Sequence, residues 1–100
     1  MYIVSKDRKS IINFEQVTAM YIGSDGCSVK VDYSRGSGSQ LGRYESDKEA
    51  RKAIEVIADS IDKTKVCYMP DDQVIKAKIN LEEQRHHHIT GKKTKGHGGS

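Results

Sequence analysis

The stretch SDKEARKAIEVIADSID, Ser46–Asp62, constrains the fold more than any other part of the chain. Ser46 stands where a helix N-cap belongs, and Glu49 follows three residues on, which is the spacing of a capping box. Ala50, Ile54, Ile57 and Ile61 recur at i, i+4, i+7 and i+11, with Ala53 beside them. Lys48, Arg51, Lys52, Glu55 and Asp59 lie off that stripe. The pattern predicts a helix over Asp47–Ile61 with one apolar face, and such a face must be buried against another element.

The segments before it supply that element. CSVKVDY (Cys27–Tyr33) alternates, with Cys27, Val29, Val31 and Tyr33 on one side and Ser28, Lys30 and Asp32 on the other. That is the pattern of a half-buried antiparallel strand. VTAMYI (Val17–Ile22) is rich in β-branched and aromatic residues, and GSDG (Gly23–Gly26) joins the two as a hairpin loop. MYIVS (Met1–Ser5), SIINF (Ser10–Phe14) and QLGRY (Gln40–Tyr44) read as further short strands, separated by KDRK and SRGSGS turns. Strands in a run followed by a helix give an α+β domain: a small, meander-like antiparallel sheet of about five strands, packed by one α-helix. After the helix, Val66–Tyr68 reads as a last short strand that Pro70 ends. Residues 73–83 fit either a short helix or an extended edge segment, on Val74, Ile75, Ile79 and Leu81.

Length and charge set the organisation. One hundred residues make one domain with one modest core. Residues 1–83 hold all 14 acids and 13 of the 17 basic residues. Residues 84–100 hold the remaining Arg85, Lys92, Lys93 and Lys95, all four histidines and no acid. A near-neutral domain over 1–83 is therefore expected to carry a flexible basic tail over 84–100. The N-terminal segment turns charged at Lys6, so no signal peptide is read there, and no run approaches the ~18 apolar residues of a membrane span. Cys27 and Cys67 are far apart and in no C-x-x-C pair, which predicts reduced thiols in a cytoplasmic protein with no disulfide between them.

Two stretches, MYIVSKDRKSIINF and LGRYESDKEARKAIEVI, resemble a family of small uncharacterised proteins of Gram-positive bacteria and their phages and mobile elements. Its members share an aromatic-led first strand, a charged turn, an LG-x-Y strand, a capped helix and a Y-x-MP-like segment. Here Leu41, Gly42 and Tyr44 match the LG-x-Y strand, and Tyr68-Met69-Pro70 matches the last segment without its spacer. Tyr2 stands where tryptophan is usual and Val4 where arginine is usual, and the likeness covers roughly residues 1–70. It implies a compact antiparallel sheet with a helix and a mobile-element origin. It implies no activity for any residue.

The candidate chemistry is sparse. His86, His87, His88 and His97 lack the loop-closing spacing of a zinc site, so no metal or other cofactor is expected. No Walker A, G-x-S-x-G or H-E-x-x-H motif is present, and Cys27 is expected as a buried structural thiol, so no enzyme is expected. Tyrosine buries area at interfaces with little entropy cost, which makes Tyr21, Tyr33, Tyr44 and Tyr68 candidate interface residues, with Tyr2 a further exposed ring. The expectation is a non-enzymatic protein–protein interaction module, with a protein partner or a second copy and no membrane. The alternative is a nucleic-acid-binding accessory protein, using Arg85, Lys92, Lys93 and Lys95 on phosphate.

Overall fold

The computed structural model describes residues 1–36 and 38–94, with side chains described to Gln84 and that of Ser37 excepted. The fold is α+β, as expected. The strands are six rather than about five, in two three-stranded sheets rather than one, and the helices are two.

The first sheet holds β1 (Tyr2–Val4), β2 (Ile11–Asn13) and β6 (Val66–Tyr68), in the order β2-β1-β6. β1 runs antiparallel to β2 and parallel to β6. The second is an antiparallel meander of β3 (Val17–Ile22), β4 (Ser28–Tyr33) and β5 (Ser39–Arg43). Between them Phe14–Gln16 forms a 3-10 turn, capped by the Asn13 carboxamide, which accepts from the Glu15 N–H at 3.0 Å. That turn redirects the chain after β2, so β3 begins a new sheet instead of extending the old one.

Helix α1 spans Asp47–Ser60, with Ile61 as its C-cap. The capping box is present in a shifted form. Ser46 Oγ accepts from the Glu49 N–H, and Glu49 Oε1 accepts from the N–H of Glu45 rather than of Ser46. Ala50, Ala53 and Ile57 are fully buried against β3 and β4, where Val29 and Val31 are buried in turn. Ile54 is half-buried and Ile61 is exposed, so the buried stripe is shorter than the sequence pattern.

Residues 73–83 form part of a second helix, α2 (Asp72–Thr94). The Asp71 carboxylate accepts from the Val74 N–H at 2.9 Å and caps it. Ile75 is buried in the core and Ile79 packs against it. α2 also covers the flank of α1 that bears Lys52. The Lys52 stem is buried, and its ammonium pairs with Glu55 and Glu82. Lys48 pairs with Glu83, and Lys76 with Glu45. The hydrogen bonds that Lys52 donates to Glu55 and then to Glu82 raise its pKa, so the ammonium keeps its charge. Of the expected tail, residues 84–94 continue α2, and residues 95–100 lie outside the described residues.

Lys6 joins the two sheets. Its N–H donates to the Leu41 carbonyl at 2.8 Å, and its ammonium donates to the Arg43 carbonyl at 2.6 Å and to Asp72 at 2.8 Å. The ammonium also sits 4.2 Å from the centre of the Tyr44 ring. Gly42 makes the crossing possible. A Cβ there would stand 2.8 Å from the Lys6 Cβ. The motif residues of LGRY therefore have structural work. Leu41 fills the core, Gly42 admits Lys6, and the buried Tyr44 hydroxyl donates to the Pro70 carbonyl at 2.7 Å.

Candidate interaction surface

The register of the first sheet sorts its residues onto two faces. Ile3, Ile12 and Cys67 lie side by side, as do Tyr2, Val66 and Asn13, and Val4, Tyr68 and Ile11. Ile3 and Cys67 are buried and Ile12 is partly buried, so that face is the core. The other face carries Tyr2, Val4, Ile11, Asn13, Val66 and Tyr68. Five of these six are apolar or aromatic. No described element covers them. Tyr2 is 48% exposed, Ile11 60%, Val66 41% and Tyr68 57%. Scattered surface apolar residues need no explanation, but a contiguous patch across three strands does.

The patch is held firmly. The turn from Lys6 to Lys9 is laced by Asp7, which accepts from Ser5 Oγ at 2.7 Å and from the Lys9 N–H at 2.9 Å. The Ser5 hydrogen bond, then that from Lys9, holds the Asp7 carboxyl below its ordinary value. Arg8 takes a left-handed backbone, φ 65°, and donates to the Met69 carbonyl at 3.1 Å. Its guanidinium then lies 5.0 Å from the centre of the Tyr68 ring, placing a cation at the rim of the patch.

The four expected interface tyrosines fall in different places. Tyr68 lies on this face. Tyr21 lies on the outer face of the second sheet, 39% exposed, with its hydroxyl donating to Asp32 Oδ1 at 3.0 Å. Tyr33 is half-buried, its hydroxyl 2.9 Å from Ser39 Oγ. Tyr44 is 4% exposed and is a core residue, so it offers no surface. Tyr2, Ile11 and Val66 belong to the patch without having been singled out as interface residues together. Their strands are three residues long and apolar at nearly every position, so the sequence carries no in–out alternation to read.

Cys27 is half-buried rather than buried. It precedes β4 at a turn where Asp25 accepts from the N–H groups of Cys27 and Ser28, and from Ser28 Oγ. Those bonds bury Ser28 and hold the Asp25 carboxyl well below the carboxylate range, Ser28 Oγ most of all. The buried thiol is Cys67, whose Sγ lies 3.4 Å from Ser60 Oγ. Both cysteines are free. The side chains of Arg85, Lys92, Lys93 and Lys95, and those of the four histidines, lie outside the described residues. A groove of about 350 Å³ opens beside the Lys6 crossing, lined by Lys6, Asp7, Gln40, Leu41, Gly42 and Arg43. Two of its charged side chains are already committed: Lys6 to Arg43 and Asp72, and Asp7 to Ser5 and Lys9.

Among the described residues no helix is long and apolar enough to cross a membrane. Compared with protein families, with curated proteins and with solved structures, the chain matches none of them.

Proposed function

We propose that this chain is a non-enzymatic protein-interaction module that presents the outer face of its first sheet to a protein partner. One observation carries the reading: Tyr2, Val4, Ile11, Val66 and Tyr68 form a contiguous apolar face that no described element covers. Burying such a face is the main source of association energy, and tyrosines beside a rim cation are typical anchors. A cytoplasmic site of action agrees with the two free thiols, and a phage or mobile-element origin agrees with the resemblance of the N-terminal stretches.

The test replaces the face and leaves the core alone. Ile11→Lys with Tyr68→Lys places two charges where the partner's apolar surface would lie. A photo-crosslinking residue in place of Val66 reports what sits there. The expected result is one crosslinked partner, whose Kd rises about 10–100-fold in the double variant and is unchanged in the control Asp59→Lys, on the exposed side of α1. A partner captured equally well by the double variant sinks this reading.

The charge asymmetry supports a second reading. Four cations without an acid in residues 84–100 form an arm suited to phosphate. Anisotropy with labelled DNA and RNA, on the full chain and on a chain stopped after Gln84, decides it. An arm of four cations gives binding that is lost on truncation and falls with a slope of about 3–4 in log K against log salt. Binding that survives truncation, or that ignores salt, removes the tail from the account.

A further inference from the structure

β3 ends the second sheet, in the order β3-β4-β5, and no described strand lies on its other side. On the opposite edge, Lys6 occupies two carbonyls of β5, its N–H on Leu41 and its ammonium on Arg43. The two edge strands of the first sheet are three residues each, against six in β3. β3 is thus the longest open edge among the described residues.

Its backbone groups can be assigned. The Gly23 N–H donates to the Ser28 carbonyl at 2.8 Å, which makes Gly23 and Ser28 a hydrogen-bonded pair. Pairs alternate along an antiparallel ladder. Tyr21 with Lys30 and Ala19 with Asp32 are therefore hydrogen-bonded, while Ile22 with Val29 and Met20 with Val31 are not. The N–H and C=O groups of Met20 and Ile22 point away from β4, and no backbone group among the described residues meets them. Open edges are normally blunted by a charge, a proline or a bulge. VTAMYI has no charge or proline, and its one register irregularity, at Thr18 between Val17 and Ala19, leaves Ala19–Ile22 regular.

We propose that two copies of this chain join through β3, antiparallel about a two-fold axis at Met20, to make one continuous six-stranded sheet. This rests on the edge alone and not on the face of the first sheet. The argument for a second copy is self-complementarity. Centring on Met20 overlaps the regular Ala19–Tyr21 stretch and brings in Ile22 and the irregular Thr18 at its ends. It sets Met20 against Met20 of the second copy and Thr18 against Ile22 of the second copy. On the outer face it sets the exposed Ala19 against Tyr21 of the second copy, twice by symmetry. The Tyr21 hydroxyl bond to Asp32 leans its ring toward β4, so the flank left at the edge suits a methyl group. Small meets large and no like charges meet, as an isologous contact requires.

The test is sedimentation of the full chain over a concentration series, beside two double variants at exposed positions. Wild type is expected to sediment as a dimer at high concentration and a monomer at low. Ala19→Lys with Tyr21→Lys sets lysine opposite lysine twice and raises the dimer Kd at least about tenfold. Ala19→Lys with Tyr21→Glu sets opposite charges in the same places and restores the dimer. Residue-resolved amide exchange on wild type gives an independent readout: the Met20 and Ile22 N–H groups become protected as concentration rises. A wild-type monomer at every concentration overturns the proposal. So does a dimer indifferent to Ala19→Lys with Tyr21→Lys, or exchange at Met20 and Ile22 that ignores concentration.

Discussion

Tyr44→Ala is expected to destabilise the protein by about 3–5 kcal/mol, as large-to-small changes of a buried aromatic do. That is a large share of the 5–15 kcal/mol typical of a domain, so the variant stands near the edge of folding. The reason is position. Tyr44 lies between the two sheets' junction and the start of α2. Lys6 stacks over its ring, and its hydroxyl satisfies the Pro70 carbonyl. Tyr44→Phe keeps the ring and removes only the hydroxyl. It leaves a buried carbonyl without its partner and is expected to cost about 1–3 kcal/mol. In a domain of this size each kcal/mol lowers Tm by about 4–8 °C. Urea unfolding of the three proteins measures both steps. If Tyr44→Phe matches wild type, the Pro70 bond contributes nothing and the ring alone explains the site.

The same hydroxyl gives a pH dependence. Burial, then the nearby Asp72 charge, pushes the Tyr44 pKa upward from 10.0, while Arg8 opposes. A raised folded-state pKa means that the folded protein holds this proton more tightly than the unfolded chain. Its contribution to stability is complete below 10.0 and is lost as pH rises above that value. Alkaline unfolding should therefore be steeper in wild type than in Tyr44→Phe.

Gly38→Ala is the second large effect. A Cβ at Gly38 would lie 1.9 Å from the Val31 carbonyl oxygen and 2.9 Å from its carbon. Both are backbone atoms of the central strand β4, so no side-chain rotation relieves the contact. Either β5 must lift from β4 or β4 must move against α1, and overpacking of this kind costs about 1–3 kcal/mol or more. Gly26→Ala is the control. Its φ is +80° with open space at the Cβ, so it bears only the conformational cost of about 1–2 kcal/mol. The urea midpoint of Gly38→Ala should fall below that of Gly26→Ala. The reverse order would mean that the Gly38 backbone yields freely, and that β5 is not pinned to β4 at this point.

Much of the second layer was legible in the sequence. Ser46, Glu49 and the Ala50–Ile57 stripe give α1 because capping and a 3.6-residue period are local signals. Val29 and Val31 give β4 for the same reason. The first sheet was not legible as a separate sheet. β1 and β6 are joined by a parallel pairing between residues far apart in sequence, and three apolar residues in a row have no period. α2 showed only Val74, Ile75, Ile79 and Leu81, of which Ile75 and Ile79 face the core while Val74 and Leu81 are exposed. Without it, Lys52 reads as a solvated residue, whereas its stem is covered by the helix that the pattern did not decide. Tyr44 shows the limit of composition. An aromatic residue serves a core and an interface equally well, and only the Pro70 carbonyl across from it distinguishes the two.

The parallel neighbour of β1 has a consequence for synthesis. The meander of residues 17–43 is built from adjacent hairpins, so its contacts are local and close early. β1 is different. It emerges before the other strands described, yet its second ladder partner is Val66–Tyr68, which follows only after α1. A nascent chain stopped short of residue 66 holds β1 and β2 as a two-stranded ribbon, which is marginal on its own in water. Val66 and Tyr68 are also two of the five apolar residues of the outer face. The surface proposed for the partner is thus assembled last, and an unfinished chain has no complete copy of it to offer.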